Sequence, residues 1–565
     1  MQRRNSYLVG KAFKSYIVAS VLTVASTQVA NIVDAAIVGN FIGPEALASV
    51  NLCKPVLQAF FSFSCLYVSS ATMMAGMAIG QGDKRKADKL FSFAIVTSIL
   101  LGLVLMILGL VAFSPLSRLL CNSETLRQMT DEFLLVSILS AAPQLLMLAL
   151  NQFLAVDGAP KLVTRNVFVG NVFNILFDII FIKVFGWGIA GAAWATFVMY
   201  LVCIVMVIPH FRKKDSLHLC RFKRGDINYR KLLTIGVPVF FSTVLLSVQL
   251  VGSNYVASTY LGEGGLVALA VCVQLVSFSM IILSGSLRTI QPIGAILKGL
   301  GDDRGMTLLL KRTYTFLGIC LASYAVLIVA FPAPIARILG AANESSMPFV
   351  LEALPLFSLN IVMQVLLYNL LPIYQFYGHN RLALFLSIAQ TLLPMVGFWV
   401  LRGSWIGFFL GQAIVAAALL IFTSVVRSKD KNLASLTLIP RSDAKKVFDV
   451  TMETSEGALK DCLTGLYQFL CSQSQPQADR MMLCAEELLN NIVNHGHAKY
   501  VDVRVTESCI SIHDDGKPFN PLDVELLNAT SLQNEGVGLK IVQGINLDIK
   551  YDYRFNQNMV TIKPL

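Results

Sequence analysis

Acidic and amide side chains set at helical spacing inside apolar runs are the first residues of this sequence that could do chemistry, because charge in hydrocarbon is costly and needs a reason. Asp34 follows Gln28 and Asn31 at three-residue steps, which places all three on roughly one face of a helix. Asp178 repeats the arrangement, with Asn174 four and Asn171 seven residues before it. Asn151 and Thr196 add an amide and a hydroxyl from neighbouring apolar runs. Two apposed carboxylates in a partly dry setting can exchange a shared proton, whereas helix-to-helix hydrogen bonding is the plain structural alternative. Lys54 and Arg288 are further charges within apolar runs, open to lining a cavity or to snorkelling.

A second group lies near the other end. Glu487, Asn491 and His495 are spaced i, i+4, i+8 on one helical face. A carboxylate and an amide so placed can orient a water and hold Mg²⁺ over a triphosphate. Downstream, Asp514-Asp515-Gly516 follows a strand pattern, and Gly536-Val537-Gly538 opens a helix whose N-terminus can receive phosphate. Each piece alone is weak, since Asp-Asp-Gly also makes ordinary turns. Their order along the chain is what carries the signal.

The elements that must position these residues follow from composition. Of 565 residues 55% are hydrophobic and only 14% charged, with a mean hydropathy of +0.66, against roughly 25% charged in soluble chains. A soluble globular protein is excluded. Twelve apolar spans can be counted, at about 15–41, 49–79, 90–113, 133–154, 163–185, 190–210, 232–260, 266–297, 313–332, 350–374, 382–401 and 405–426. An even number puts both termini on one side. Lys and Arg concentrate there, at Arg3 and Arg4, Lys84 to Lys89, Lys161, Arg165 and the loop Arg212 to Lys231, so that side is expected to be the cytoplasm. The expected location is therefore a bacterial inner (plasma) membrane.

The first six spans repeat in the second six. Gly43 pairs with Gly262, and Gly82-Asp83 with Gly301-Asp302, at one offset of 219 residues. Two such halves suit a secondary transporter with its site near the midplane. At that offset Asp34 corresponds to Ser253 and Asp178 to Gly397, so the acidic set is not demanded by the repeated fold. Residues 1–402 carry 30 Lys/Arg against 16 Asp/Glu, while 427–565 carry 15 against 18. Basicity belongs to the membrane part, which argues against a nucleic-acid partner. The expected organisation is an N-lobe of six helices at 1–210, an inter-lobe loop at 211–231, a C-lobe of six helices at 232–426, a linker at 427–445 and an α/β domain at 446–565. Eleven cysteines without a C-x-x-C pair read as reduced packing residues.

Residues 1–426 resemble the multidrug and toxic compound extrusion (MATE) family through Asn31-Ile-Val-Asp34, Gly43-Pro-Glu-Ala-Leu47, Asn174-Ile-Leu-Phe-Asp178 and Phe185-Gly-Trp-Gly-Ile-Ala-Gly-Ala-Ala193. The resemblance implies a two-lobed, twelve-helix antiporter exporting organic cations or drugs in exchange for H⁺ or Na⁺. It also implies a cation or proton site at Asp34, Asn151, Asn174, Asp178 and Thr196. Ala19 stands where relatives often carry a first-helix proline, so bending about that proline is not expected here.

The tail resembles the GHKL-type ATP-binding fold, on its anti-sigma-factor serine kinase branch, through Glu486 to Gly496, Asp514 to Pro521 and Gly536 to Leu539. That resemblance implies Glu487 as catalytic base, Asn491 as Mg²⁺ ligand, Asp514 as adenine acceptor, and Gly516, Gly536 and Gly538 as further nucleotide-binding positions, with ATP and Mg²⁺ as cofactors. A degenerate nucleotide sensor and an active kinase are both compatible with it. One reading of the whole chain is an antiporter with a nucleotide-binding regulatory domain, handling a small-molecule substrate and answering to a cytoplasmic regulatory protein. The alternatives are a membrane signalling protein with serine kinase output and a lipid-linked sugar flippase. A sensor histidine kinase is disfavoured because 427–446 holds no histidine, and ATP-driven pumping because no G-x-x-x-x-G-K-[ST] loop occurs.

Overall fold

Hydrocarbon leaves a spanning segment only two ways to satisfy its backbone, and this chain uses the helix throughout. The computed structural model describes residues 4–121, 124–339, 346–441, 447–472, 477–506, 509–523 and 542–564. The first half contains α1 (Tyr7–Phe41), α2 (Pro44–Gly80), α3 (Lys84–Val111), α4 (Phe113–Leu120), α5 (Glu124–Leu139), α6 (Ala141–Val156), α7 (Pro160–Asp178) and α8 (Gly188–Phe211). The second contains α9 (Tyr229–Tyr260), α10 (Gly262–Gly299), α11 (Asp303–Ala330), α12 (Pro332–Ile338), α13 (Met347–Tyr368), α14 (Leu371–Phe376), α15 (Asn380–Val400) and α16 (Ile406–Lys429). Eleven helices among the described residues are long and apolar enough to span. The twelfth span is a broken one, with its two pieces, Leu126–Leu139 and Ala141–Val156, bent by 51°. The single helix expected at 133–154 is thus two.

Small residues let the halves approach. A Cβ on Gly80 at the end of α2 would stand 2.2 Å from the Ile296 carbonyl oxygen, and one on Gly299 at the end of α10 would stand 2.2 Å from that of Met77. The two helices therefore touch backbone to backbone at their basic-loop ends, which glycine alone permits. The turns that follow match, with Gly82 at φ 73° and Gly301 at φ 65°. In the second half Phe398, Trp405 and Phe408 are fully buried where α15 turns into α16, with Phe408 stacked on both of the others.

The chain divides into two compact units. One holds Tyr16–Leu300 and Leu310–Leu438; the other joins Ile439–Leu565 with two pieces of the transporter half-repeats, Met1–Ser15 and Gly301–Leu309. The second unit is built on a five-stranded sheet of β1 (Phe448–Glu453), β2 (Tyr500–Thr506), β3 (Cys509–Asp514), β4 (Leu547–Arg554) and β5 (Gln557–Pro564), in the order β1-β2-β3-β5-β4, antiparallel throughout. Helices α17 (Glu456–Ser472) and α18 (Ala478–His495) pack on it through Leu466, Met481, Leu489, Val503, Ile512 and Ile562, all fully buried. This matches the expected α/β tail, except that the helix expected from Gly538 begins outside the described residues.

Candidate functional sites

Five side chains were expected to form one polar site in the first half, and the structure sorts them into three contacts. Asp34, in the C-terminal part of α1, meets Asp178 at the last turn of α7. Asp178 is fully buried, and neither of its carboxyl oxygens receives a hydrogen bond from the described residues. The helix widens into a π-helical segment, Ile179–Val184, immediately after it, a distortion often found beside functional residues. Lys54 of α2 lies within electrostatic reach of Asp34. Asn174 Nδ2 donates to Thr196 Oγ1 at 3.5 Å, joining α7 to α8. Asn151 is engaged elsewhere, its Oδ1 accepting from Asn166 Nδ2 at 2.9 Å. Gln28 leaves the expected stripe and donates across to the Ser277 carbonyl of α10 at 3.3 Å. Asn166 is the residue missed, although it stands twelve residues before Asp178 on the same helix.

In the tail, the turn Asp514-Asp515-Gly516 is fastened to the end of α18. A Cβ on Gly516 would lie 2.2 Å from the Gly496 carbonyl oxygen, so only glycine brings the turn this close, and Lys517 N donates to the same carbonyl at 3.1 Å. Asp514 Oδ1 accepts from Gly516 N at 2.8 Å and from Asn558 Nδ2 at 2.9 Å, while Oδ2 takes no hydrogen bond among the described residues. Burial pushes the Asp514 carboxyl above its ordinary range, against the pull of those two donors. Asn558 also donates to the Lys517 carbonyl and accepts from Tyr551 Oη and Phe519 N. It is the organiser of the turn, and it escaped sequence reasoning because it lies 44 residues away on β5. Glu487 and Asn491 are half-buried on α18, and His495 is exposed at its end. Neither Glu487 nor Asn491 has a partner among the described residues. Gly536 and Gly538 lie outside the described residues. Among the described residues no group of three His, Cys, Asp or Glu converges on a metal site.

The same unit holds a buried ion network. Arg4 Nη1 meets Asp302 Oδ2 at 2.5 Å and its Nε meets Asp502 Oδ2 at 2.9 Å; Asp449 stands at 3.7 Å. Arg504 Nη1 meets Asp302 Oδ1 at 2.7 Å, and Arg304 reaches Asp449 at 3.7 Å. Three arginines thus face three aspartates. Burial works upward on Asp302, but Arg4, Arg504 and the Gly305 N–H outweigh it and hold the carboxyl at about 2. The start of α1 is gripped nearby. Asn5 N donates to Thr451 Oγ1, Tyr7 packs on Tyr500, Gln557 Nε2 donates to the Leu8 carbonyl, and Lys11 Nζ meets Asp515 Oδ2 at 2.9 Å.

Comparison with known proteins agrees with this architecture. Residues 19–180 match the MatE family model, and residues 466–563 match that of the histidine kinase-like ATPase domain. The chain therefore carries a MatE domain in its N-terminal part and a histidine kinase-like ATPase domain at its C-terminus. It is 24% identical over 250 residues to the multidrug export protein MepA of Staphylococcus haemolyticus, covering 44% of this chain and 55% of that one. It is 23% identical over 260 residues to the probable multidrug resistance protein YoeA of Bacillus subtilis, covering 44% and 56%. The chain thus spans about half the length of the curated relatives it matches. Among solved structures, a MOP superfamily transporter from Pyrococcus furiosus superposes with a TM-score of 0.67 at 22% identity. A multidrug resistance MATE family transporter in an outward-facing conformation superposes at 0.68 and 20%. Each covers 76% of this chain and all of the other. The fold is that of these transporters, and the protein crosses the membrane several times.

Proposed function

We propose that this protein is a secondary antiporter that exports small organic compounds, drugs and organic cations among them, in exchange for protons, and that its tail is a nucleotide-binding regulator. The observation that carries the first part is the contact of Asp34 with Asp178, whose buried oxygens receive no hydrogen bond from the described residues. Two carboxylates so placed repel each other at close range until a proton joins them. A proton bound there from one side and released to the other couples its gradient to movement of the halves. The π-helical segment after Asp178 supports the reading, since it lets that carboxyl shift without breaking α7. Asn174 and Thr196 join α7 to α8 one turn before Asp178, and Asn151 with Asn166 braces α6 against α7. The names of the relatives, a multidrug export protein and a probable multidrug resistance protein, support the substrate class. The basic-loop side is the cytoplasm in this reading.

The test is accumulation of ethidium by inside-out vesicles containing the full chain, energised by a pH gradient or, separately, by a sodium gradient. Uptake driven by the pH gradient is expected. Uptake with sodium alone reassigns the coupling ion, and none with either removes the antiporter reading.

For the tail, Asp514 Oδ2, which takes no hydrogen bond among the described residues, would accept from the amino group of adenine. Asn491 would hold the Mg²⁺ that screens the phosphate charge, and Glu487 would orient a water or hydroxyl beside it. Asp514→Asn in the full chain is expected to weaken ATP binding with or without Mg²⁺, by about 1–3 kcal/mol for one charge-assisted bond. Asn491→Ala is expected to weaken it only with Mg²⁺ present. Calorimetric titration in Mg²⁺ and in EDTA separates the two, and absence of ATP binding by the folded wild-type chain makes the tail a degenerate interaction module.

A further inference from the structure

The halves of an alternating transporter must part on one side to admit substrate, so any tie between their ends on that side is a control point. Arg4 stands three residues before α1, the first helix of the first half, and Asp302 stands immediately before α11 in the second half. Both side chains are 2% exposed and meet at 2.5 Å within the unit formed by Met1–Ser15, Gly301–Leu309 and Ile439–Leu565.

We propose that the Arg4–Asp302 pair, enclosed by the tail domain, is a lock between the two halves that must break before their basic-loop side opens. It deepens, and rests on, the antiporter reading above. Three observations carry it. First, the tie has little slack. Asn5, Tyr7, Leu8 and Lys11 are each held by the tail sheet or its turns, so the start of α1 cannot withdraw while Arg4 stays behind. Asp302 Oδ1 also accepts from Gly305 N at 2.7 Å, which fixes its carboxylate to the first turn of α11. Second, the pair is not needed to make the turn. Asp83, at the matching place in the first half, caps α3 in the same way through Lys86 N, yet is exposed and meets no arginine among the described residues. Third, the ends of α2 and α10 touch at Gly80 and Gly299, so the halves are together on that side in this structure.

The lock lies in the same unit as the nucleotide turn. Asp515, whose Oδ2 holds Lys11 of α1, follows directly on Asp514, the residue placed for adenine. Its Oδ1 accepts from Lys499 N and Tyr500 N, the entry to β2, and β2 contributes Asp502 and Arg504 to the lock. A nucleotide seated on Asp514 therefore presses on both the grip on α1 and the strand that lines the pair.

The experiment uses the full chain in nanodiscs, with spin labels on encoded unnatural amino acids at Arg85 and Arg381, exposed positions beside the basic loops of the first and second halves. Asp302→Asn keeps the cap to Gly305 and removes the charge. Arg4→Lys keeps the charge and loses the fork that spans Asp302 and Asp502. Hydrogen exchange in β2 checks that the tail stays folded in each. The population with the longer separation is expected to rise at least about threefold in either variant and to stay at the wild-type level in Asp83→Asn. A folded Asp302→Asn and a folded Arg4→Lys that both match Asp83→Asn overturn the lock. MgATP is expected to change the wild-type distribution and to leave that of Asp302→Asn alone. An equal response in both also overturns the lock. No response in the wild type, with Asp302→Asn open, retains the lock and removes the nucleotide reading instead.

Discussion

Two turns that read almost alike, Gly-Gln-Gly-Asp-Lys-Arg at 80–85 and Gly-Leu-Gly-Asp-Asp-Arg at 299–304, end in opposite surroundings. In the first, Asp83 is solvated and does no more than cap a helix. In the second, Asp302 caps its helix and is buried between two arginines supplied from residues 4 and 504. The carboxyl pair shows the reverse asymmetry. Asp34 and Asp178 meet in the first half, while the 219-residue offset places Ser253 and Gly397 in the second. Gly397 there serves packing, since a Cβ on it would lie 2.2 Å from the Gly407 carbonyl oxygen. The two copies of the repeat thus diverge at matching positions: the buried carboxyl pair belongs to the first, and the buried Gly-Asp turn to the second.

The largest expected effect tests the first asymmetry. Asp34→Asn and Asp178→Asn should each abolish gradient-driven accumulation of ethidium in vesicles while leaving the protein folded, because the amide still hydrogen-bonds but cannot carry a proton across. A charge that crosses the full potential is worth about 2.3 kcal/mol per 100 mV, so its loss removes uphill transport and does not merely slow it. Adding Ser253→Asp to Asp34→Asn should not restore accumulation. Recovery in that double variant would show that either half can host the ion, and the asymmetry would then carry no mechanism.

The two turns differ by a smaller but measurable amount. Asp83→Ala removes a cap, costing about 1 kcal/mol. Asp302→Ala removes a cap and takes from buried Arg4 and Arg504 the carboxylate they share, a loss of up to about 3–5 kcal/mol. Hydrogen exchange across α3 and across β2, read in the same full-length samples, reports each. Equal losses at the two positions would mean that the arginines around Asp302 contribute nothing beyond what water gives Asp83.

Much of this was legible because local patterns report local structure. Apolar length marks the spans, and the offset of 219 marks the repeat. The tail's α/β character is likewise local, and the strand pattern before Asp514 is β3 in the structure. What the sequence withholds is long-range. Val501-Asp502-Val503-Arg504-Val505 alternates as a strand with one wet face, yet all five residues are buried, because chain from 4–15 and 301–309 covers the polar side. Nothing near Arg4 announces Asp302, 298 residues away. The break between α5 and α6 is hidden for a different reason. Serine and alanine at 140–141 are ordinary helix residues, so no proline or glycine punctuates the bend. Asn151 carries the expected chemistry by type but pairs with Asn166, a partner whose own spacing from Asp178 gives no helical-face signal.

The smallest effect is a pH dependence confined to the second turn's surroundings. Asp449 is buried, and burial with repulsion from Asp302 lifts its carboxyl to about 6 against the pull of Arg4, Arg504 and Arg304. Its unfolded value is about 3.9. A carboxyl raised on folding favours the folded state when protonated, so its contribution is full below about pH 4 and is lost as pH rises through 6. Asp302 acts oppositely, contributing above about pH 4 and losing its contribution only as pH falls through about 2, so it is silent near neutrality. Lowering the pH from 7.5 to 5.5 should therefore stabilise the tail unit by roughly 1 kcal/mol from Asp449 alone, less than the full shift because the carboxyl is only partly protonated at 5.5. Asp502, also raised by burial, adds in the same direction. Asp449→Asn should flatten this rise by about one bound proton, measured as the slope of β1 and β2 exchange protection against pH. An identical slope with and without Asp449 would place the titration elsewhere.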